Sequence, residues 1–206
     1  MDPWPRIEAD RLAFADYLAT LSDEDWAKPS LCDGWTVKGV TTHLLVTPTM
    51  SKGQVFRSFL GSGFNLDKMS AKMIGQMTAS MSNAEIVDAT RSSAASRNAP
   101  PGLRPMGVLG EVLVHTADVS LAVGKPFDLP VDDYVTALEF MKDVQPVLGC
   151  KKRITGLHLE TTDAQWSTGE GPTVTGDAKH LLSAMTGRKA SMDALTGDGV
   201  ATLRSR

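Results

Sequence analysis

Two residues whose side chains could bind a metal or a proton lie in an otherwise apolar stretch. Glu111 and His115 lie four residues apart among the valines, leucines and alanine of residues 108–119. On an α-helix this spacing places both side chains on one face. A carboxylate and an imidazole buried beside apolar side chains cost free energy unless a partner satisfies them, and a divalent cation would do so. The pair therefore indicates either part of a metal site or a simple i,i+4 pair.

His43 could supply the third ligand that a metal site would need. It lies one turn beyond Val40 and next to Leu44 in a predicted helix, which turns its ring inward or nearly so. Two imidazoles and one carboxylate would leave one coordination position open, as in catalytic rather than structural zinc sites. The alternative is that His43 is a core histidine with its own hydrogen-bond partner. Spacing alone supports the two interpretations about equally.

Apolar periodicity, capping motifs and helix breakers predict the elements that would position these residues. Residues 5–21 form an amphipathic first helix, and Ser22 opens a capping box. Thr36 is the predicted N-cap of the helix that carries His43, and Pro48 should kink or break that helix. The other predicted helices are 66–79, a helix opened by a capping box at Ser82 and running to about 98, 106–123 with Gly124 just beyond it, and 130–147.

The pattern changes near the C-terminus. Between residues 153 and 162 apolar and polar side chains alternate, which is typical of a half-buried strand. Residues 173–175 are a second, short strand. Asp177 is then the predicted N-cap of a helix that ends near Gly187.

These elements predict a mainly α fold. A helical bundle over residues 1–149 would be followed by a small C-terminal α+β segment over residues 150–206, packed on the bundle. A chain of 206 residues is long enough to bury a sizeable core in such a fold.

Charge and composition limit the classes of partner. The formal net charge is -3 and no block of like charges occurs, which argues against a nucleic-acid surface or a polybasic membrane contact. No segment approaches the roughly 20 apolar residues of a membrane span, and the N-terminus lacks the pattern of a signal peptide. We therefore expect a cytoplasmic monomer or homodimer whose partners are small molecules.

The two cysteines, Cys32 and Cys150, are too few and too isolated for a disulfide framework. We expect both to be thiols in a reducing compartment. Cys32, in the loop before the His43 helix, is interpreted as a half-buried thiol, with a fourth metal ligand or a redox thiol as the alternative.

Three stretches of the sequence together resemble one known family. The first, residues 29–44, reads P-S-L-C-D-G-W-T-V-x-x-V-x-x-H-L, and the second, residues 110–118, reads G-E-V-L-V-H-T-x-D. The third begins as L-x-x-x-D-x-x-W at residue 159, continues through a glycine-rich turn and ends as L-L-x-x-x-x-G-R at Arg188. In this order they cover nearly the whole chain and resemble the mycothiol-dependent maleylpyruvate isomerase family of the DinB-like, YfiT-type superfamily.

The resemblance implies an up-down-down-up four-helix bundle, a divalent metal that is usually zinc, and mycothiol, a low-molecular-weight thiol of actinobacteria. It carries the metal-ligand roles onto His43, Glu111 and His115, the same residues that the spacing nominated. The open coordination position would bind the mycothiol sulfur, and a metal-bound thiol is deprotonated at neutral pH.

Two further residues receive roles. Arg188 stands where the family has an arginine after the last long helix, which implies contact with an anionic substrate or with the thiol; an ordinary C-terminal helix arginine is the alternative. Asp118 lies one turn beyond His115 and could orient its imidazole, the alternative being a solvated helix end.

Four residues with aromatic rings are interpreted as structural. Trp35 and Trp166 lie next to turns, where a core role is more common than a place at a site mouth. His158 falls on the polar side of its strand and His180 in the final helix, so neither is a metal candidate.

The leading functional prediction is a mycothiol-dependent metalloenzyme whose activated thiol attacks a small electrophile. The outcome would be either isomerisation of a cis enoic acid of the maleylpyruvate type or transfer of sulfur to the electrophile, and the short C-terminal segment favours transfer. A non-catalytic metal-binding or regulatory module is the second hypothesis. A metal-dependent hydrolase is the third, because no spare carboxylate is well placed as a general base.

Overall fold

The computed structural model describes residues 2–49, 51–63, 66–100, 102–144 and 149–206. Most of these residues are helical, and a small sheet lies near the C-terminus. The predicted mainly α class with a small C-terminal α+β part is confirmed.

The α-helices follow one another along the chain with short connections. In chain order they are α1 (Trp4–Leu18), α2 (Asp23–Ala27), α3 (Val37–Thr49), α4 (Lys52–Gly61), α5 (Leu66–Ser80), α6 (Asn83–Ser92), α7 (Pro105–Val123), α8 (Val131–Met141), α9 (Cys150–Ile154), α10 (Ala178–Met185) and α11 (Val200–Arg204). A 3-10 helix spans Lys189–Ala194, and the strands are β1 (His158–Thr161), β2 (Ser167–Thr168) and β3 (Thr173–Gly176).

Local capping sets several helix ends at their predicted positions. Ser22 and Ser82 each close a complete capping box, before α2 and α6 respectively. The Oγ1 atom of Thr36 accepts a hydrogen bond from the Gly39 amide at 3.2 Å, as expected of an N-cap. Gly124 ends α7 in the left-handed conformation with φ of 74°.

Several predicted helices are shorter in the structure. The helix of His43 breaks near Pro48 into α3 and α4, with Met50 outside the described residues. The helix opened by Ser82 ends at Ser92 rather than near residue 98. It ends early because the Arg11 guanidinium donates hydrogen bonds to the carbonyls of Ala94 and Ser96, at 3.3 and 2.8 Å. These bonds hold the segment after Ser92 in a non-helical conformation. The predicted helix 130–147 is also shorter: α8 ends at Met141, residues 142–144 are not helical, and residues 145–148 lie outside the described residues.

The strand predicted over residues 153–162 is confined to β1, because residues 150–154 form α9. Its predicted alternation is confirmed: Leu157, Leu159 and Thr161 are buried, whereas Glu160 is exposed. Strand β1 lies between β2, to which it is antiparallel, and β3, to which it is parallel.

The carboxylate that caps the N-terminus of α10 is not the predicted one. Asp177 occupies the N-cap position, but its carboxylate accepts a hydrogen bond from the Thr162 hydroxyl instead of a helix amide. The Asp163 carboxylate, which arrives from the loop after β1, accepts from the Ala178 amide at 2.9 Å. A tertiary contact has therefore replaced the local cap.

The chain forms two compact units that share α7. One comprises Met1–Pro105 with Asp118–Pro126, and the other comprises Met106–Ala117 with Phe127–Arg206. In the first, α3 packs against α5 and α6, and α1 packs against α6. In the second, α10 packs against α8 and the 3-10 helix. The division into a bundle over 1–149 and a segment over 150–206 stays a prediction.

Contrary to the expectation of no segment of membrane-spanning length, helix α7 is long and apolar enough to cross a membrane by length and composition, with a mean hydropathy of 1.4. However, 72% of that window is buried inside the protein, as in the core helix of a soluble protein. The apolar character of α7 is therefore explained by packing within the fold.

The C-terminal end of α7 is tied to α2 by charge. The Asp25 carboxylate lies 2.6 Å from the Lys125 ammonium and 2.9 Å from that of Lys28, which also reaches the Val123 carbonyl at 3.5 Å. The Tyr17 hydroxyl donates to the Lys125 carbonyl at 3.1 Å. Burial, followed by the Asp25 charge, raises the pKa of Tyr17 to about 12, so this hydroxyl remains a donor.

Gly39 is the weak point of the first turn of α3. A Cβ added there would lie 3.5 Å from the Trp35 Cβ, an ordinary contact distance. We expect Gly39→Ala to raise the free energy of unfolding by about 0.5–1 kcal/mol, measured by urea denaturation, since alanine loses less backbone entropy in a helix. Gly124→Ala is the matched control. A Cβ at position 124 would meet no atom within 4 Å, but the φ of 74° should make this substitution destabilising. Destabilisation by Gly39→Ala would contradict the expectation.

The Asp25 contacts predict an acid-sensitive element of stability. The Lys125 ammonium, then that of Lys28, then the Ser22 amide lower the pKa of Asp25. A lowered folded-state pKa stabilises the fold above the unfolded value of about 3.9, and this stabilisation is lost as pH falls through the folded value.

Asp25→Asn should therefore unfold at lower urea than the wild type at pH 7, and the difference between the two midpoints should shrink as pH falls below about 4. Glu24→Gln, at the exposed neighbouring position, serves as the control. A difference between midpoints that stays constant across this pH range would refute the assignment.

Candidate metal and thiol site

His43 lies on α3 with its ring partly buried. The Trp35 ring packs on it, with the ring centroids 5.2 Å apart and the planes tilted by 50°. Trp35 in turn packs against a buried apolar cluster of Val46, Met69, Met73 and Ile74. The structural role expected of Trp35 is confirmed, and the indole also fixes one side of the imidazole.

The loop before α3 is closed by its own hydrogen bonds. The Ser30 amide donates to the Trp35 carbonyl at 2.8 Å, and the Val37 amide donates to the Lys28 carbonyl at 2.9 Å. The Ser30 hydroxyl accepts from the Cys32 amide at 3.1 Å. The Trp35 amide closes a tight turn onto the Cys32 carbonyl at 3.0 Å, which Gly34 permits through its φ of 79°. Cys32 is therefore held by a rigid loop.

The Cys32 thiol points at a buried carboxylate. Its Sγ atom donates to Oδ2 of Asp118 at 3.1 Å. Asp118 lies on α7 and is fully buried, so it is not at a solvated helix end. Cys32 is half-buried and is a thiol, as predicted. A tertiary contact thus joins the cysteine of the first sequence motif to the aspartate of the second.

His115 precedes Asp118 by one turn on the same helix and is 9% exposed. The potential ligand atoms of Cys32, His115 and Asp118 lie within 4.8 Å of one another. Sulfur, imidazole nitrogen and carboxylate oxygen are all ligands of zinc, so this donor set fits a divalent transition metal. The described residues therefore contain a candidate metal site on α7.

The predicted set of His43, Glu111 and His115 overlaps this cluster at His115. Glu111 and His115 share α7 at the i,i+4 spacing, and Glu111 is partly buried. Two imidazoles and a carboxylate also fit zinc. The assignment of these three residues as the ligand set stays a prediction.

Arg188 follows α10 and is partly buried. Its Nη1 atom donates to the Thr186 carbonyl at 3.1 Å. Nearby, Nη1 of Arg153 donates to the Met185 carbonyl at 2.5 Å, so two guanidinium groups bind adjacent carbonyls at the end of α10. This contact gives Arg188 a helix-capping role, and its role toward an anion stays a prediction.

The remaining histidines and Cys150 have structural surroundings. Nδ1 of His158 lies 2.9 Å from the Gly169 carbonyl oxygen. Burial, then the Lys179 charge, lowers the pKa of His180, which favours the neutral ring. Burial raises the pKa of the fully buried Cys150 thiol, which makes it less reactive than an exposed one.

Trp166 is partly exposed, and its indole N–H donates to the Glu139 carboxylate at 3.1 Å. Within the second unit this contact joins β2 and its preceding turn to α8. Trp166 therefore has a structural role, as the sequence indicated.

Sequence reasoning missed the contact between Cys32 and Asp118. The thiol lies in a loop far from α7 in the sequence, and no spacing rule connects position 32 to position 118. The available signal was that Cys32 and Asp118 each belong to one of the motifs that also contain a predicted ligand.

Comparison with known proteins identifies similar sequences and folds. The sequence model described as the mycothiol maleylpyruvate isomerase N-terminal domain matches residues 7–120, which include every residue of both candidate ligand sets. No curated protein matches the chain.

Two solved structures are similar in fold. They are the crystal structure of the mycothiol-dependent maleylpyruvate isomerase and that of its variant with one histidine replaced by alanine. Both have a TM-score of 0.64 and cover 95% of this chain and 91% of their own, at 14% and 13% identity respectively. At this identity the likeness concerns the fold, and it supports the DinB-like helical class.

Proposed function

Because the chain belongs to the mycothiol maleylpyruvate isomerase N-terminal domain family, we propose that it is a mycothiol-dependent metalloenzyme acting on a small electrophile. The observation that carries the proposal is the family match over residues 7–120, which spans both metal-ligand motifs. Helix α3 supplies one of these motifs and α7 the other.

In this proposal His43, Glu111 and His115 hold a divalent cation, and the chemistry of these donors favours zinc. Trp35 packs on the His43 ring and limits its rotation. Glu111 and His115 are held one turn apart by the continuous hydrogen bonding of α7. The chain would thus present its ligands from regular helices, which position side chains more rigidly than loops do.

When bound, the metal would supply a Lewis acid that lowers the pKa of the mycothiol thiol and yields a nucleophile at neutral pH. Without a bound cation, neither thiol of the chain would act as a competing nucleophile. Cys150 is fully buried with a raised pKa, and the Cys32 thiol donates a hydrogen bond to the Asp118 carboxylate. The protein would therefore direct reaction to the cosubstrate sulfur.

The reaction class follows from what a thiolate does to an unsaturated acid. Addition to a cis enoic acid, rotation about the resulting single bond and loss of the same thiol would isomerise it, whereas retention of the carbon–sulfur bond would be transfer. We propose that Arg188 binds the carboxylate of such a substrate with the donors of its planar fork. The choice between isomerisation and transfer depends on the substrate.

A metal and thiol assay tests the proposal. In a Cys32→Ser background, which removes the thiol near α7, His43→Ala should reduce zinc bound per chain by roughly tenfold or more, since even loss of an outer partner of a metal ligand costs about 10-fold to 100-fold in affinity. The wild type should consume mycothiol in the presence of an electrophilic enoic acid, and the variant should not. His158→Ala is the control, because that ring binds the Gly169 carbonyl.

Stoichiometric zinc in the wild type without thiol-dependent turnover would favour a non-catalytic metal-binding module. Full zinc retention by His43→Ala in the Cys32→Ser background would remove His43 from the ligand set. The first result would refute thiol-dependent catalysis, and the second would refute the ligand role of His43.

Arg188→Ala should lower kcat/KM for a carboxylate substrate by about tenfold to a hundredfold, the loss expected for one charge-assisted hydrogen bond. Arg204→Ala is the matched control, since Arg204 is exposed and pairs with Asp193 at 2.7 Å. Both variants need urea unfolding curves, because Arg188 also caps α10. Equal kcat/KM in Arg188→Ala and wild type would exclude the anion-binding role.

A further inference from the structure

We propose that Cys32, His115 and Asp118 form a cysteine-containing site for a thiophilic divalent cation of the zinc type. The site shares His115 with the ligand set proposed above but uses neither His43 nor Glu111. A cation therefore occupies one set or the other, and the Cys32 set is the one occupied when mycothiol is absent. It requires no thiol cosubstrate and no catalytic turnover.

The three side chains lie close enough together to bind one ion. Their potential ligand atoms lie within 4.8 Å of one another, a separation that small side-chain movements bring to the spacing of ligands around one ion. Two of the three donors, on His115 and Asp118, come from one face of α7. The third, Sγ of Cys32, already lies 3.1 Å from Oδ2 of Asp118.

The loop that contains Cys32 is held rigid by hydrogen bonds. The Cys32 amide is bound by the Ser30 hydroxyl, and the Cys32 carbonyl accepts from the Trp35 amide. The backbone of Cys32 is therefore fixed before any cation arrives, and little conformational entropy would be lost on binding. A cysteine on an unrestrained loop would lack this advantage.

The charges of the three ligands balance that of a divalent cation. A thiolate, a carboxylate and a neutral imidazole together neutralise a divalent cation, and a neutral complex is the form that a buried site tolerates best. Asp118 is fully buried and His115 is 9% exposed, so the environment imposes this condition. Binding would release the Cys32 thiol proton to solvent and replace the hydrogen bond to Asp118 with two bonds to the metal.

The same arithmetic separates the two ligand sets. Two imidazoles and one carboxylate leave one positive charge on the cation, which an external thiolate would neutralise. The set containing Cys32 leaves none, so a cation held there would have no electrostatic need for a second thiolate. The Cys32 site would therefore hold the metal in a form that does not recruit the cosubstrate thiol.

Cobalt(II) substitution tests the inference without any activity measurement. The full-length protein is stripped of metal with a chelator and titrated with Co²⁺ alone, while absorption from thiolate-to-cobalt charge transfer is followed in the near ultraviolet. The wild type should show this absorption, and Cys32→Ser should lose it by at least tenfold. Serine can still donate a hydrogen bond to Asp118, so the loop contact can be retained.

Cys150→Ser is the matched control and should keep the absorption, because the charge-transfer ligand is assigned to the other thiol. Asp118→Asn should weaken cobalt binding, since an amide is a poorer ligand than a carboxylate for this cation. His43→Ala should keep the absorption. Unfolding midpoints of all variants identify any that fail to fold.

Cobalt binding by the wild type without charge-transfer absorption would overturn the inference, as would unchanged absorption in Cys32→Ser. Loss of the absorption in His43→Ala would also overturn it, because the thiol would then depend on the other ligand set. Cobalt that binds without this absorption and is lost in His43→Ala would uphold the proposed function while refuting the Cys32 site.

Discussion

The burial of ionisable side chains on one apolar helix is the constraint that governs the candidate site. Helix α7 carries Glu111, His115 and Asp118, yet 72% of its most apolar window is buried. Each of these groups needs a polar partner or a cation, because an unsatisfied buried charge costs far more than one hydrogen bond returns. The loop before α3 meets part of this need by placing the Cys32 thiol on Asp118.

Other features of the first unit hold this arrangement in place. The C-terminal end of α7 is held by Asp25 through Lys125, and by Tyr17 through the backbone carbonyl of the same lysine. The loop of Cys32 is closed by its own backbone hydrogen bonds, and Trp35 anchors it to the Val46 cluster. The polar groups on α7 can therefore remain ordered although they lie in apolar surroundings.

Family membership and fold similarity limit the chemistry in different ways. The family match covers both motifs that supply candidate ligands, whereas the similar crystal structures, at 14% and 13% identity, establish the fold class. The residues add a thiol of the chain, that of Cys32, within reach of the same helix. In the two proposals, cysteine and mycothiol would have different electrostatic effects on a cation bound at α7.

Features that arise between near neighbours in the chain could be predicted from the sequence. The capping boxes at Ser22 and Ser82, the glycine end of α7 and the alternation along β1 belong to this class, because each arises from contacts within a few residues. Packing accounts for the rest: Arg11 ended α6 early, Asp163 replaced Asp177 as the cap of α10, and Cys32 was brought to Asp118. These contacts join groups distant along the chain, so their energies depend on how the elements pack, which local periodicity does not encode.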